Sequence, residues 1–297
     1  MTYQFHRNYL WFVKIDCIIK TNTMKTTIKT IILLILGIAI FASCRKERDD
    51  YDPNIPQILP PAESMLMDFS NFKVNYKKST AQEAASTVEN WTACALTVSL
   101  WNTMINENSS LPIAAYKEAF NYPDVYVSNT TRVRSYPILS NGVSYHCKLE
   151  STIDSKSYST KWKMYVSKFA EDGSSYTDFV WFTGTSSSDG SSAVWRLNRD
   201  PEVNGRPYLD ISWVKNSSHK YTLVDKTDAG EGNFIEYRKI NDAGMDAQFI
   251  IQTVNHSSDL MIQWDTKNRN GRVRSQHWYN NLNWQCWGEN YLNLNCK

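Results

Sequence analysis

The stretch "GVSYHCKLE", residues 142–150, decides the fold class. Val143, Tyr145, Cys147 and Leu149 point one way; Ser144, His146, Lys148 and Glu150 point the other, which is the two-residue period of a half-buried β-strand. The same alternation returns in "KWKMYVSKF" (161–169), "YLDISWV" (208–214), "AQFIIQTV" (247–254) and "LMIQWDT" (260–266). Turn chemistry separates these runs. Asn141-Gly142 and Asn270-Gly271 are hairpin signals, because both residues of such a pair tolerate positive φ. Asp172-Gly173, Asp189-Gly190 and Gly230-Glu231-Gly232 mark further reversals. From Tyr122 onward this makes about eleven or twelve strands, spaced too regularly for helical crossovers, and so an antiparallel meander.

Upstream of the meander the period changes. "MLMDFSNF" (65–72) alternates like a strand, and then "TAQEAASTVENWTACALTVSLWNTMI" (80–105) turns helical. Thr80 and Glu83 have capping-box spacing. Val88, Trp91, Ala95, Val98, Trp101 and Ile105 recur every three or four residues, and Leu96, Leu100 and Met104 widen the stripe. This predicts a helix over 81–107 whose Val88/Trp91/Val98/Trp101 face is covered by something large. A second helix is predicted from Leu111 to about Asn121, with Ser110 as cap and Pro112 in its first turn. The expected class is α+β: a long antiparallel meander curled around, or packed on, an N-terminal helix pair. So many strands cannot lie flat, and the helix face is the natural filling for the concave side.

The start of the chain carries an address. Ile31–Ala42 is a run of twelve apolar or small residues. A spanning helix needs about 20, whereas such a length suits a signal-peptide apolar region. Lys25 and Lys29 precede it, and Phe41-Ala42-Ser43-Cys44 follows. That order resembles a bacterial lipobox, in which the cysteine, here Cys44, is lipidated and becomes the first mature residue; Phe41 departs from the Leu usual there. Counted from Met24 the signal is complete, so residues 1–23 are expected to be an upstream mis-start and 24–43 the signal. Residues 44–64, charged at first and then rich in proline, are expected to be a flexible tether, and 65–297 a single domain. Discarding 1–43 removes five basic residues and one acid, which takes 32 against 30 to 27 against 29, a net of −2. Such a surface has no basic footprint for nucleic acid.

Lipobox, charged cluster and proline-rich tether together are similar to uncharacterised outer-membrane lipoproteins of the Bacteroidota type. The resemblance implies a lipid anchor in the outer membrane, on the surface or the periplasmic face, and brings no activity with it. A helix inside a curled sheet also resembles, by architecture alone, the half-barrel of LolA-like lipid carriers.

Catalytic signatures are absent from the sequence. His146, His219, His256 and His277 lack ligand spacing, so neither a metal site nor a cofactor is implied. Ser70/Lys73 and Ser212/Lys215 match a nucleophile pair in spacing, but in a strand the latter two point apart. Asp265–Gly271 mimics a calcium loop with Lys267 and Arg269 where oxygens are needed. The remaining feature is the tail "HWYNNLNWQCWGENYLNLNC" (277–296). Its rings, Trp278, Tyr279, Trp284, Trp287 and Tyr291, lie among amides, as a sugar-binding platform requires; the favoured reading is that the rings bury against the sheet, and the platform is the alternative. Trp162, Trp181, Trp195, Trp213 and Trp264 sit inside strand patterns and are expected to be core. Export places the cysteines in an oxidising compartment. Cys286 and Cys296 flank a short terminal loop and are the favoured pair. Cys94 and Cys147 either staple helix to sheet or are two buried small hydrophobes. The expected function is a lipid-anchored, non-catalytic binding or scaffolding module whose ligand is a glycan or another envelope component. The alternatives are a carrier of a hydrophobic ligand and, last, a secreted hydrolase.

Overall fold

The computed structural model describes residues 57–73, 89–154, 156–170, 173–254 and 256–296. These belong to one compact unit, Asp52–Lys297. Cys44, the signal, the upstream segment, the capping box at Thr80 and Glu83, and Val88 lie outside the described residues.

The meander is present as one open sheet of 14 antiparallel strands whose spatial order is the sequence order. Its strands are β1 Val125–Tyr126, β2 Thr131–Ser140, β3 Val143–Asp154, β4 Ser159–Phe169, β5 Tyr176–Ser187, β6 Ser192–Asn198 and β7 Pro207–Val214. The second half is β8 Ser218–Leu223, β9 Phe234–Asp242, β10 Met245–Thr253, β11 His256–Trp264, β12 Gly271–Ser275, β13 Asn281–Trp287 and β14 Asn293–Leu294. The strands beyond the expected number are the two edges, β1 and β14, which are 2 residues each. Edges this short offer little backbone to a stray partner strand.

Local chemistry explains the reversals. Asn141 and Gly142 both take positive φ (50° and 79°), closing the β2–β3 hairpin as expected. Asn270-Gly271 does not act that way. Arg269 adopts the left-handed conformation there (φ 63°), and Gly271 is already in β12. Ala243-Gly244 forms an unforeseen hairpin between β9 and β10 (φ 50° and 81°). In β5 the register slips so that Met164 faces Phe182 and Tyr165 faces Val180. The extra residue, Trp181, is a bulge, which lets the successive residues Trp181 and Phe182 both enter the core.

One helix replaces the expected pair. α1 runs unbroken through Asn90–Glu118 and ends in a 3-10 turn, Ala119–Asn121. Pro112 sits inside it, although an interior proline costs about 3 kcal/mol or more. The stripe Ala95, Val98, Trp101, Ile105, Pro112, Ile113 and Tyr116 is buried on both sides of that proline. Ending the helix at 110 would expose half of it, and this burial outweighs the proline. Back-bonds from the Asn108 amide to the Met104 carbonyl (2.9 Å) and from the Ser109 hydroxyl to the Ile105 carbonyl brace the same turn.

The helix ties the two ends of the sheet together. Near its start the Asn90 amide N–H donates to Asn293 Oδ1 (2.8 Å), and Asn90 Nδ2 donates to the Cys286 carbonyl (3.2 Å). Near its end the Tyr136 hydroxyl of β2 donates to the Ala115 carbonyl (2.6 Å). Tyr116 donates to the Pro60 carbonyl (2.5 Å), and Gln57 Nε2 to the Thr130 carbonyl (2.9 Å). The last residues of the expected tether, 57–64, are therefore docked on the domain, with Gln57, Pro60 and Ser64 buried.

The 65–72 segment is not a strand. It is an extended link entering a 3-10 turn, Ser70–Phe72. Its alternation is nevertheless kept through Met65, Met67 and Phe69, which are buried, and the 3-10 turn then brings Phe72 inward as well.

Cys286 and Cys296 form the disulfide. Cys94 and Cys147 are free and buried, so the helix-to-sheet staple is not made. Cys147 faces Tyr136 across β2–β3, and Tyr136 touches Ala115. Cys94 is 21 residues up the helix from there, about 30 Å away at 1.5 Å per residue, whereas a disulfide needs Cα atoms within about 7 Å.

Candidate functional site

One end of the inner face carries a row of rings, roughly one per strand. Trp213 of β7 faces His219 of β8, which faces Tyr237 of β9. Tyr237 packs on Phe249, which packs on Trp264 of β11. The 63–72 segment crosses above this row. Phe72 meets Trp264 edge-on (4.9 Å), and Phe69 lies against Phe249 (5.9 Å). The Met67 N–H donates to the Tyr221 hydroxyl (2.7 Å), which donates to the Met65 carbonyl (2.8 Å). With Met65, Met67 and Phe69 turned into the core, the alternate residues Leu66 and Asp68 are left at the margin.

Between segment and sheet runs a groove of about 580 Å³. Its floor is Trp213, His219, Tyr237 and Trp264. Glu63, Leu66, Asp68 and Asn71 line one side, and Asn216, Ser217, Ser218, Lys239 and Thr266 the other. A smaller recess of about 320 Å³ adjoins it, with Asn71 and Trp264 lining both. Trp91, Trp287, Tyr291, Lys73 and Arg269 complete the recess. Trp91 and Tyr291 are stacked at 4.1 Å, which joins helix α1 to the disulfide-closed tail.

Two polar atoms at this groove have no partner. The Trp264 indole N–H and His219 Nε2 are buried and unbonded. His219 is 5% exposed, and burial pushes its pKa down to about 3, so the imidazole is neutral at ordinary pH. A buried polar group without a partner costs about 1–3 kcal/mol. Among the described residues Gln57, Ser64, Tyr176, Trp195 and Tyr208 also carry a buried polar atom without a partner, so this feature is not confined to the groove.

The five rings of the candidate platform are dispersed. Trp287 is core, its N–H donating to the Arg269 carbonyl (2.9 Å). Tyr291 stands in the recess wall. Tyr279 belongs to a one-turn helix, α2 (Gln276–Tyr279), and donates to Asn90 Oδ1 (3.0 Å). Trp278 is exposed beside it. Trp284 lies on the outer face between the guanidiniums of Arg272 and Arg274 (4.4 and 4.7 Å). Trp287 and Tyr291 join the groove; Trp278, Tyr279 and Trp284 do not. Trp162, Trp181, Trp195, Trp213 and Trp264 are buried as expected, yet Trp213 and Trp264 also floor the groove. Sequence reasoning missed His219, Tyr237 and Asn71. His219 shares the inner face of β8 with Tyr221 and Leu223, and nothing local in the sequence placed it beside a groove.

Among the described residues, no cluster of His, Cys, Asp and Glu is close enough to hold a metal ion. Burial raises the thiol pKa of Cys94, and that of Cys147 up to about 12, which makes both poor nucleophiles. Asp265 is used locally: it accepts from the Lys267 and Asn268 amide N–H groups (2.8 and 3.0 Å), which hold its pKa down. The chain matches no known protein family, and no curated protein is similar to it in sequence.

Proposed function

We propose that this chain is a lipid-anchored outer-membrane protein that binds a saccharide, without catalysis, in the groove floored by Trp213, His219, Tyr237 and Trp264. The observation that carries the proposal is the pairing of aromatic residues with amide, hydroxyl and carboxylate side chains in one cleft. Sugars offer apolar C–H faces to rings and hydroxyls to amides, carboxylates and side-chain hydroxyls. The groove presents all of these, as small-molecule clefts with a few placed polar groups do. What favours a saccharide over a lipid is the use made of the apolar side chains. Val98, Trp101, Ile105, Ile113 and Tyr116 fill the space under α1 where a carrier would need room.

Titration of the full chain with a panel of neutral and acidic oligosaccharides, followed by calorimetry, tests the binding. Ser217→Trp, a change at the exposed rim, should block the groove without altering the unfolding midpoint. An oligosaccharide that binds this variant as tightly as the wild type would place binding elsewhere. The anchor has its own test: fatty-acid labelling should mark the wild type and be lost in Cys44→Ser.

A further inference from the structure

The two halves of the groove differ in charge. The wide half carries the carboxylates Glu63 and Asp68 against the single ammonium of Lys239. The smaller recess carries Lys73 and Arg269, and none of its described lining residues is a carboxylate. Asp265, four residues before Arg269 in the same turn, and Asp242 both have other partners. Asp265 accepts from its own turn, and Asp242 accepts from Arg272 (2.8 Å) and Gln263 (3.3 Å). Trp91, Trp287 and Tyr291 wall the recess, while Lys73 and Arg269 are themselves exposed at it, so their attraction for an anion is screened by salt. The Trp287 indole holds the Arg269 carbonyl, so the arginine stands on a fixed backbone.

We infer that the saccharide is an acidic one, entering with a carboxylate or sulfate seated between Lys73 and Arg269 and neutral rings lying along the wide half. The inference rests on the saccharide reading of the groove and adds its chemical class and direction. Glu63 and Asp68 repel the anion from the wide half, so the two ends are not interchangeable. Trp264 lies where the halves meet and lines both.

The test uses matched pairs on the full chain: oligogalacturonate against its methyl ester, and sulfated against desulfated oligosaccharides. The acidic member of at least one pair should bind about tenfold or more tighter, the size of one charge-assisted contact. That advantage should shrink as salt rises and vanish in Lys73→Gln/Arg269→Gln, two exposed positions whose change leaves the core intact. Equal binding of acidic and neutral members would overturn the inference and leave saccharide binding standing. An acidic preference that survives in the double variant would overturn the assignment of the recess. No binding by any member would overturn both.

Discussion

Trp287 lies flat across Gly271, its partner on the neighbouring strand. A Cβ added at Gly271 would stand 2.2 Å from Cζ2 of the indole and 2.5 Å from the Gln263 carbonyl. The same device recurs at Gly184, where a Cβ would meet Cε3 of Trp195 at 2.1 Å, again across a strand pair. Each glycine makes room for a large ring that could not otherwise lie along the inner face of a curling sheet.

Gly271→Ala should therefore destabilise the protein, and more than alanine at an open position such as Gly142 would through strain alone. Overpacking of this kind costs about 1–3 kcal/mol. Chemical denaturation measures it, and a loss under about 0.5 kcal/mol would mean that the indole moves aside freely.

The Trp91–Tyr291 stack should show energetic coupling. Trp91 is only half-buried, so Trp91→Ala should cost less than the 3–5 kcal/mol typical of a fully buried aromatic. A double-mutant cycle with Tyr291→Ala should return about 0.5–1.5 kcal/mol of coupling. Additive effects would show that the rings are neighbours without mutual stabilisation.

The Cys286–Cys296 clasp should protect the start of α1. The tail it closes carries Asn293, which accepts the Asn90 amide N–H, and Glu89 at the helix start makes no side-chain cap of its own. Cys286→Ser/Cys296→Ser should cost about 3 kcal/mol on the chain-entropy model. Hydrogen exchange should quicken at residues 90–94 while the Ala115 end of the helix stays protected. Uniform loss of protection along α1 would contradict a local cap.

Acid should weaken the fold through His219. Its folded pKa is about 3 against an ordinary 6.5, so the unfolded chain binds the proton more readily. The sign follows from linkage: this stability is fully present above about 6.5 and is lost as pH falls toward 3, by about 1.4 kcal/mol per unit. His219→Phe should flatten that dependence. An unchanged slope between pH 6 and 4 would assign the acid sensitivity to other groups.

Much of the architecture was legible because it is written in short-range patterns. Alternation in 143–149 and its repeats requires half-buried strands, and regular turn signals leave no length for crossovers, so the antiparallel meander follows. The core tryptophans and the terminal disulfide were readable for the same reason: strand parity and a ten-residue separation are local quantities. The helix pair was misread because Pro112 is a local breaker, while the burial that overrides it comes from a sheet formed later in the chain. Asn270-Gly271 looked like a turn for a similar reason; the glycine is there for the Trp287 ring.

The sequence by itself determined strand parity, hence which residues face inward, and supplied the expectation of a lipid anchor at Cys44. The tertiary structure alone decided which inward residues border a groove. His219, Tyr237 and Trp264 have the same inward parity as Tyr221, Ile235 and Ile262, yet they floor a groove while the others are sealed. The difference lies in where the 63–72 segment stops covering the sheet, and in a tail brought back onto the helix by Asn293 and Tyr291. Those contacts join residues about 200 positions apart (203 for Asn90 and Asn293), and no window of sequence contains both partners.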